Sequence, residues 1–167
     1  MSRRSVTLFA AAAMLASASG VTAQDRSADA TNHAQDAAWH NRQQAAIATL
    51  SAEDGWGYID GGLMWRRVAG DGIGPRPTVA DTVKVHYAGT FVDGETFDSS
   101  YDRGEPVEFP LGRLISAWQL AIPKMAVGDT IEIASPASLA YGVTGNPRIP
   151  GGATLMFKVE LLGIAEQ

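Results

Sequence analysis

From Gly62 onward the chain alternates apolar and polar residues in short runs. In Thr82-Val83-Lys84-Val85-His86-Tyr87 the residues Val83, Val85 and Tyr87 share one face, and in the run from Ala153 to Leu161 the face is Leu155, Phe157, Val159 and Leu161. Asp129-Thr130-Ile131-Glu132-Ile133 alternates in the same way, and Leu63, Trp65 and Val68 mark a first strand. A period of two is that of a half-buried strand. Asp93-Gly94 is a hairpin turn after Phe91, the return segment 95–100 is brief, and Val107-Glu108-Phe109 is a further extended piece. Within this region only 114–122 has helical character, and Pro123 stops it early. Antiparallel strands with one short helix predict an α+β domain over 55–167, in which the helix covers the apolar face of the sheet.

Upstream the pattern changes. Residues 35–54 read as a helical arm, rich in Ala and Gln, with the incomplete stripe Ala38, Trp39, Arg42, Ala45, Ala46, Ile47 and Leu50 ending before Ser51. Two readings stand for it: an arm packed on its own domain, or a homodimer contact through residues 35–50 using Trp39, Ile47 and Leu50. Residues 24–34 are polar without an apolar period and read as a flexible linker. Residues 1–23 place Arg3 and Arg4 before an apolar run and end in Val21-Thr22-Ala23, the pattern of a secretory signal peptide. The expected location is therefore outside the cytoplasm, in the periplasm or secreted. The run is too short and too interrupted for a membrane span, so no membrane anchor is expected.

Removing residues 1–23 leaves 11 of the 13 basic side chains against 18 acidic ones, a net charge of −7. That balance carries no electrostatic footprint for nucleic acid. The 167 residues include no cysteine, so thiol catalysis and thiolate metal sites are excluded and no disulfide holds the fold. His33, His40 and His86 have no metal-ligand spacing and no triad around a serine, and neither a metal nor another cofactor is expected. The glycines of 70–74 are followed by Pro75 and Pro77 where a phosphate loop needs the free N–H groups of a helix. Asp98 and Asp102 fall in a polar loop, where solvated charge is the ordinary explanation.

Six aromatics, Tyr87, Phe97, Phe109, Trp118, Tyr141 and Phe157, remain to be explained. Periodicity alone assigns them to a hydrophobic core. Their strings say more: Val85-His86-Tyr87-x-Gly89, Phe97-Asp98-Ser99-Ser100, Ala140-Tyr141-Gly142 and Ala153-Thr154-Leu155-x-Phe157-x-Val159-Glu160-Leu161-Leu162 resemble, in order and spacing, the signature of the FKBP-type prolyl isomerases. The resemblance covers about residues 62–164. It implies a twisted antiparallel sheet of about five strands wrapped around one short helix, with a pocket between them.

Carried over residue by residue, the resemblance makes Trp118 the pocket floor and Tyr87, Phe97, Leu114, Ile115 and Phe157 its walls. Tyr141 and the Ile115 N–H would bind substrate carbonyls, Asp98 would sit at the mouth paired with Arg103, and Ile149 would be the apolar contact of a flap over 142–150. The activity implied is cis/trans isomerisation of X-Pro bonds in exported polypeptides; the alternative is a chaperone or binding module that holds Pro-containing segments in the same pocket. Macrolide-type inhibitors are the further ligand class implied. Val107 stands where the family often has an aromatic, which thins one wall, and the flap before Pro150 is shortened.

Overall fold

The computed structural model of the protein describes His33 and residues 36–165. The signal-peptide reading for 1–23, and the linker reading for 24–34 apart from His33, lie outside the described residues.

The elements are helix α1 (Ala37–Ala48), strands β1 (Gly57–Ile59), β2 (Leu63–Ala69), β3 (Thr82–Phe91) and β4 (Thr96–Ser99), the single turn α2 (Ser100–Arg103), strand β5 (Val107–Pro110), helix α3 (Ser116–Ala121), and strands β6 (Thr130–Ser135) and β7 (Leu155–Ala165). The strands form one antiparallel sheet in the order β1-β2-β6-β7-β3-β4, with β5 also paired to β3. The sheet thus has seven strands rather than about five. The strand that periodicity missed, β1, is three residues long, too short to display a period.

Alternation and burial agree in the central strands. Val83, Val85, Val159 and Leu161 are fully buried, as are Ile131 and Ile133 on β6. Val68 departs from the strand pattern. It falls between Arg67 and Ala69, where the register of β2 on β6 shifts, and it is exposed. A bulge residue has no partner and leaves the alternation.

Helix α3 closes the apolar face of the sheet with Ala117, Trp118 and Ala121 buried, followed by Ile122. It is short because Pro123 enters a tight 3₁₀ turn, Ile122–Lys124, directly after it. Proline lacks the N–H that a longer helix would need there. Small Ala117 and Ala121 let the helix approach the sheet closely enough to bury the indole.

β4 and β5 share one edge of β3: β4 pairs with Ala88–Thr90 and β5 with Thr82–Val85. Between them the backbone of Tyr87 has no strand partner on that edge. Ser100, fully buried at the start of α2, fills the gap: Tyr87 N–H donates to its Oγ at 2.7 Å, and the same Oγ lies 3.2 Å from Tyr87 O. A buried backbone group must be paired, and this one is paired by a side chain that also anchors α2 beside Tyr87.

Candidate functional site

A cavity of about 250 Å³ opens between α3 and the sheet. Trp118, 4% exposed, reaches it from α3. The rings of Tyr87, Phe109 and Phe157 stand at 81°, 79° and 85° to the indole, with centroids 5.3, 6.2 and 5.6 Å away. Phe97 meets Phe157 edge-on at 5.8 Å and 89°. Three rings perpendicular to a fourth make a slot with one flat side, and edge-to-face pairs of this kind hold one another rigidly.

Each ring is placed by its local structure. Tyr87 and Phe157 point inward because they share the buried parity of β3 and β7. Phe97 comes from β4 and fits only because residue 89 on the adjacent strand is glycine; a Cβ there would lie 2.5 Å from the Phe97 ring. Leu114 and Ile115 complete the lining just before α3, and Tyr141 does so from the loop after the 3₁₀ turn Ala137–Leu139.

At the mouth, three polar side chains form a closed triangle. Tyr87 Oη donates to Asp98 Oδ2, Arg103 Nη1 donates to Asp98 Oδ1, and Arg103 Nη2 donates to Tyr87 Oη at 3.0 Å. Partial burial pushes the Asp98 carboxyl up, but the hydrogen bonds from Tyr87 and Arg103 outweigh it, and its pKa ends below the ordinary value. Tyr87 moves the opposite way, raised first by burial and then by its bond to Asp98. Asp98 is therefore a held anion and Tyr87 a held neutral phenol.

Other donors at the cavity are unused. The indole Nε1 of Trp118 is buried and has no partner among the described residues. Tyr141, 39% exposed, makes no side-chain hydrogen bond among them, and its pKa is raised by burial and by the nearby charge of Asp98, so the phenol keeps its proton. The N–H of Ile115 sits at the cap of α3, where a helix leaves its first donors free.

The structure brings Tyr87, Phe97, Asp98, Leu114, Ile115, Trp118, Tyr141 and Phe157 to one cavity, with Arg103 at its edge through Asp98. Besides Arg103, two residues named from the sequence, Val107 and Ile149, are not among its lining. Val107 pairs across from Val85 and packs on the core, its short side chain spent there. Ile149 is 3% exposed and belongs to the core, where Asn146 Oδ1, accepting from both Arg148 N and Ile149 N, holds the loop. Phe109 lines the cavity and was not assigned a role; it lies two residues beyond Val107 on the same face of β5, a signal the period of two contained. No group of three or more His, Asp or Glu able to hold a metal occurs among the described residues.

The family described as FKBP-type peptidyl-prolyl cis-trans isomerase matches residues 74–162. The chain is 43% identical over 118 residues to the FKBP-type peptidyl-prolyl cis-trans isomerase FkpA of Aeromonas hydrophila, covering 71% of this chain and 44% of that one. It is 44% identical over 113 residues to the FKBP-type 22 kDa peptidyl-prolyl cis-trans isomerase of Escherichia coli, covering 67% and 54%. The chain thus spans about half the length of these curated relatives. Among solved structures, Escherichia coli FkpA superposes with a TM-score of 0.70 at 35% identity, covering 86% of this chain and 64% of that one. A Pseudomonas syringae peptidyl-prolyl cis-trans isomerase gives 0.68 at 28% identity, covering 77% and 95%.

Proposed function

Because this chain belongs to the FKBP-type peptidyl-prolyl cis-trans isomerases, we propose that it accelerates rotation about X-Pro bonds of polypeptides bound in the aromatic cavity. The observation that carries this is the slot itself: apolar walls around Trp118, with unused donors beside them and the Asp98 carboxylate tied to Tyr87 and Arg103.

Rotation needs no bond to break. It passes through a twisted amide that has lost resonance, against a barrier of roughly 18 to 20 kcal/mol. In the twisted amide the carbonyl is less polarised than in the planar one, so transfer from water to an apolar slot costs the transition state less than the ground state. Only such differential stabilisation raises the rate. The proline ring is placed on the indole of Trp118, between Tyr87, Phe109 and Phe157. Tyr141 Oη and the Ile115 N–H hold flanking carbonyls of the substrate, and the Asp98 anion at the mouth, fixed by Arg103, orients the entering chain. Macrolide-type inhibitors of the family would compete for the same slot.

A protease-coupled assay on a proline peptide tests the proposal. Wild type accelerates isomerisation, Trp118→Leu loses about tenfold or more of kcat/KM, and Tyr141→Phe loses about fivefold, the worth of one hydrogen bond. Binding of the peptide without acceleration by wild type would overturn the enzyme reading in favour of the holding module.

Clients in the periplasm follow from the signal-like pattern of residues 1–23. Fractionation of expressing cells, with sequencing of the mature N-terminus, checks that placement. No helix among the described residues is long and apolar enough to cross a membrane. For the arm, packing on its own domain is the reading better supported, since Trp39 is buried in that domain's core. Light scattering at the dimer mass would restore the homodimer contact through residues 35–50.

A further inference from the structure

The isomerase reading leaves α1 without a task, yet this helix holds the end of the loop that carries Tyr141. Its two buried residues, Trp39 and Gln43, are four apart and so lie on one face. Both meet the segment where the loop rejoins β7. Thr154 N–H donates to Gln43 Oε1 at 2.9 Å, and the Thr154 hydroxyl donates to the Gln43 carbonyl at 2.9 Å, both in buried surroundings. Trp39 and His40 stand over Gly152 so closely that a Cβ there would lie 3.4 Å from the indole and 3.3 Å from the imidazole. One helix turn therefore grips residues 152–154 by two hydrogen bonds and a pair of rings.

The path from this grip to the cavity is short. Gly152 N–H donates to Gly142 O at 2.9 Å, directly beside Tyr141, and Gly145 N–H donates to Tyr141 O at 3.1 Å. Gly142 N–H is held in turn by Ala137 O at 2.8 Å. Beyond Thr154 the chain enters β7 and reaches the cavity wall at Phe157. The Tyr141 hydroxyl makes no hydrogen bond among the described residues, so the backbone of its loop is what restrains it.

Resting on the isomerase reading, we propose that Gln43 is a positioning residue: by pinning Thr154 it fixes the loop 141–153, and with it the Tyr141 phenol at the cavity. Gln43 touches no substrate. A glutamine suits the place because the buried Thr154 N–H requires an acceptor, which an aliphatic side chain cannot supply. Misplacing a substrate-orienting group from a distance is costly to rate. The arm is on this view part of the working site, although it lies outside the segment that the family description matches.

The test uses the full chain with Gln43→Ala, Thr154→Val and Thr154→Ser, and Gln43→Ala also in a Tyr141→Phe background. Isomerisation is measured well below the melting temperature, alongside amide hydrogen exchange. Gln43→Ala is expected to lower kcat/KM about fourfold, chiefly through KM, and no further than the loss of the Tyr141 hydroxyl itself. Thr154→Val is expected to lower it about threefold, whereas Thr154→Ser, which keeps the hydroxyl, stays within about twofold of wild type. In the Tyr141→Phe background Gln43→Ala costs less than about twofold more, because it acts through the group already removed. The Gly145 and Gly152 amides exchange faster in Gln43→Ala while those of β3 and β6 do not.

Equal cost of Gln43→Ala in both backgrounds, or unchanged protection at Gly152, would overturn the proposal and leave the helix a stabiliser only. If wild type fails to accelerate isomerisation while Gly145 and Gly152 still respond to Gln43→Ala, the isomerase reading falls and the clamp stands.

Discussion

Asp98 and Asp129 are both carboxylates held below their ordinary pKa with an arginine alongside, yet they do opposite things. Asp129 is 1% exposed and fully engaged: it accepts from Ala126 N at 2.8 Å, Gly72 N at 3.0 Å and Arg67 Nε at 3.0 Å. Burial pushes its pKa up, but the two backbone donors and then Arg67 outweigh it. It ties the 70–74 turn to the start of β6 and takes no part in lining the aromatic cavity. Asp98 is bound chiefly by the side chains of Tyr87 and Arg103 and stands at the mouth of a cavity whose other donors are unused. A polar group satisfied on every side is structure, whereas polar groups around an apolar cavity that still lack partners are available to a ligand.

The comparison is broken most strongly at the buried site. Asp129→Ala orphans two backbone donors and a guanidinium, and should lower stability by about 3 kcal/mol in denaturant titration. The molecules that remain folded should keep the kcat/KM of wild type. A variant equally stable but impaired in turnover would reverse the roles assigned to the two carboxylates.

Asp98→Asn should do the converse. A carboxylate about one third exposed gains less from its ion pair than a buried one, so the stability change should stay under about 1 kcal/mol. Peptide kcat/KM should fall about fivefold, because the group that orients the entering chain loses its charge.

Acid separates the sites further. Both carboxyls titrate in the folded protein below the ordinary value of 3.8, so the stability they contribute is present above that value and lost as pH falls through the folded pKa. Asp129→Asn should therefore flatten the acid limb of the stability curve below about pH 4 more than Asp98→Asn does. Turnover should be level between about pH 6 and 9, since Asp98 titrates below that window and Tyr87 and Tyr141 above their ordinary 10.0. A bell-shaped profile there would require an acid or base outside the proposed site.

The smallest effect belongs to Arg103→Lys. The planar fork that bonds Asp98 and Tyr87 together becomes a point charge, which should raise KM by about threefold or less and leave kcat unchanged.

Much of this was legible in the residues. Val83, Val85 and Tyr87 announced one face of β3, Pro123 announced the end of α3, and the strings around Phe97-Asp98 and Ala140-Tyr141-Gly142 named the family before any coordinates did. The arm was legible only in outline. Its apolar stripe included Trp39, which is docked, but had no place for Gln43, and Gln43 is there for a backbone donor 111 residues away. Val107 and Ile149 read as pocket residues but are not among the residues lining the cavity, Ile149 being buried in the core, while Phe109, two residues from Val107, lines the wall.

By itself the amino-acid order determined what local physics can determine: which residues alternate, where helices stop, which turns need glycine, and which motifs match a family. Tertiary structure alone decided the long-range matters: which of two similar carboxylates is sealed, which aromatic faces the slot, and which buried donor needs a glutamine. Those depend on where a side chain's partners lie in space, and a hydrogen bond or ring contact between residues far apart in sequence leaves no period to read.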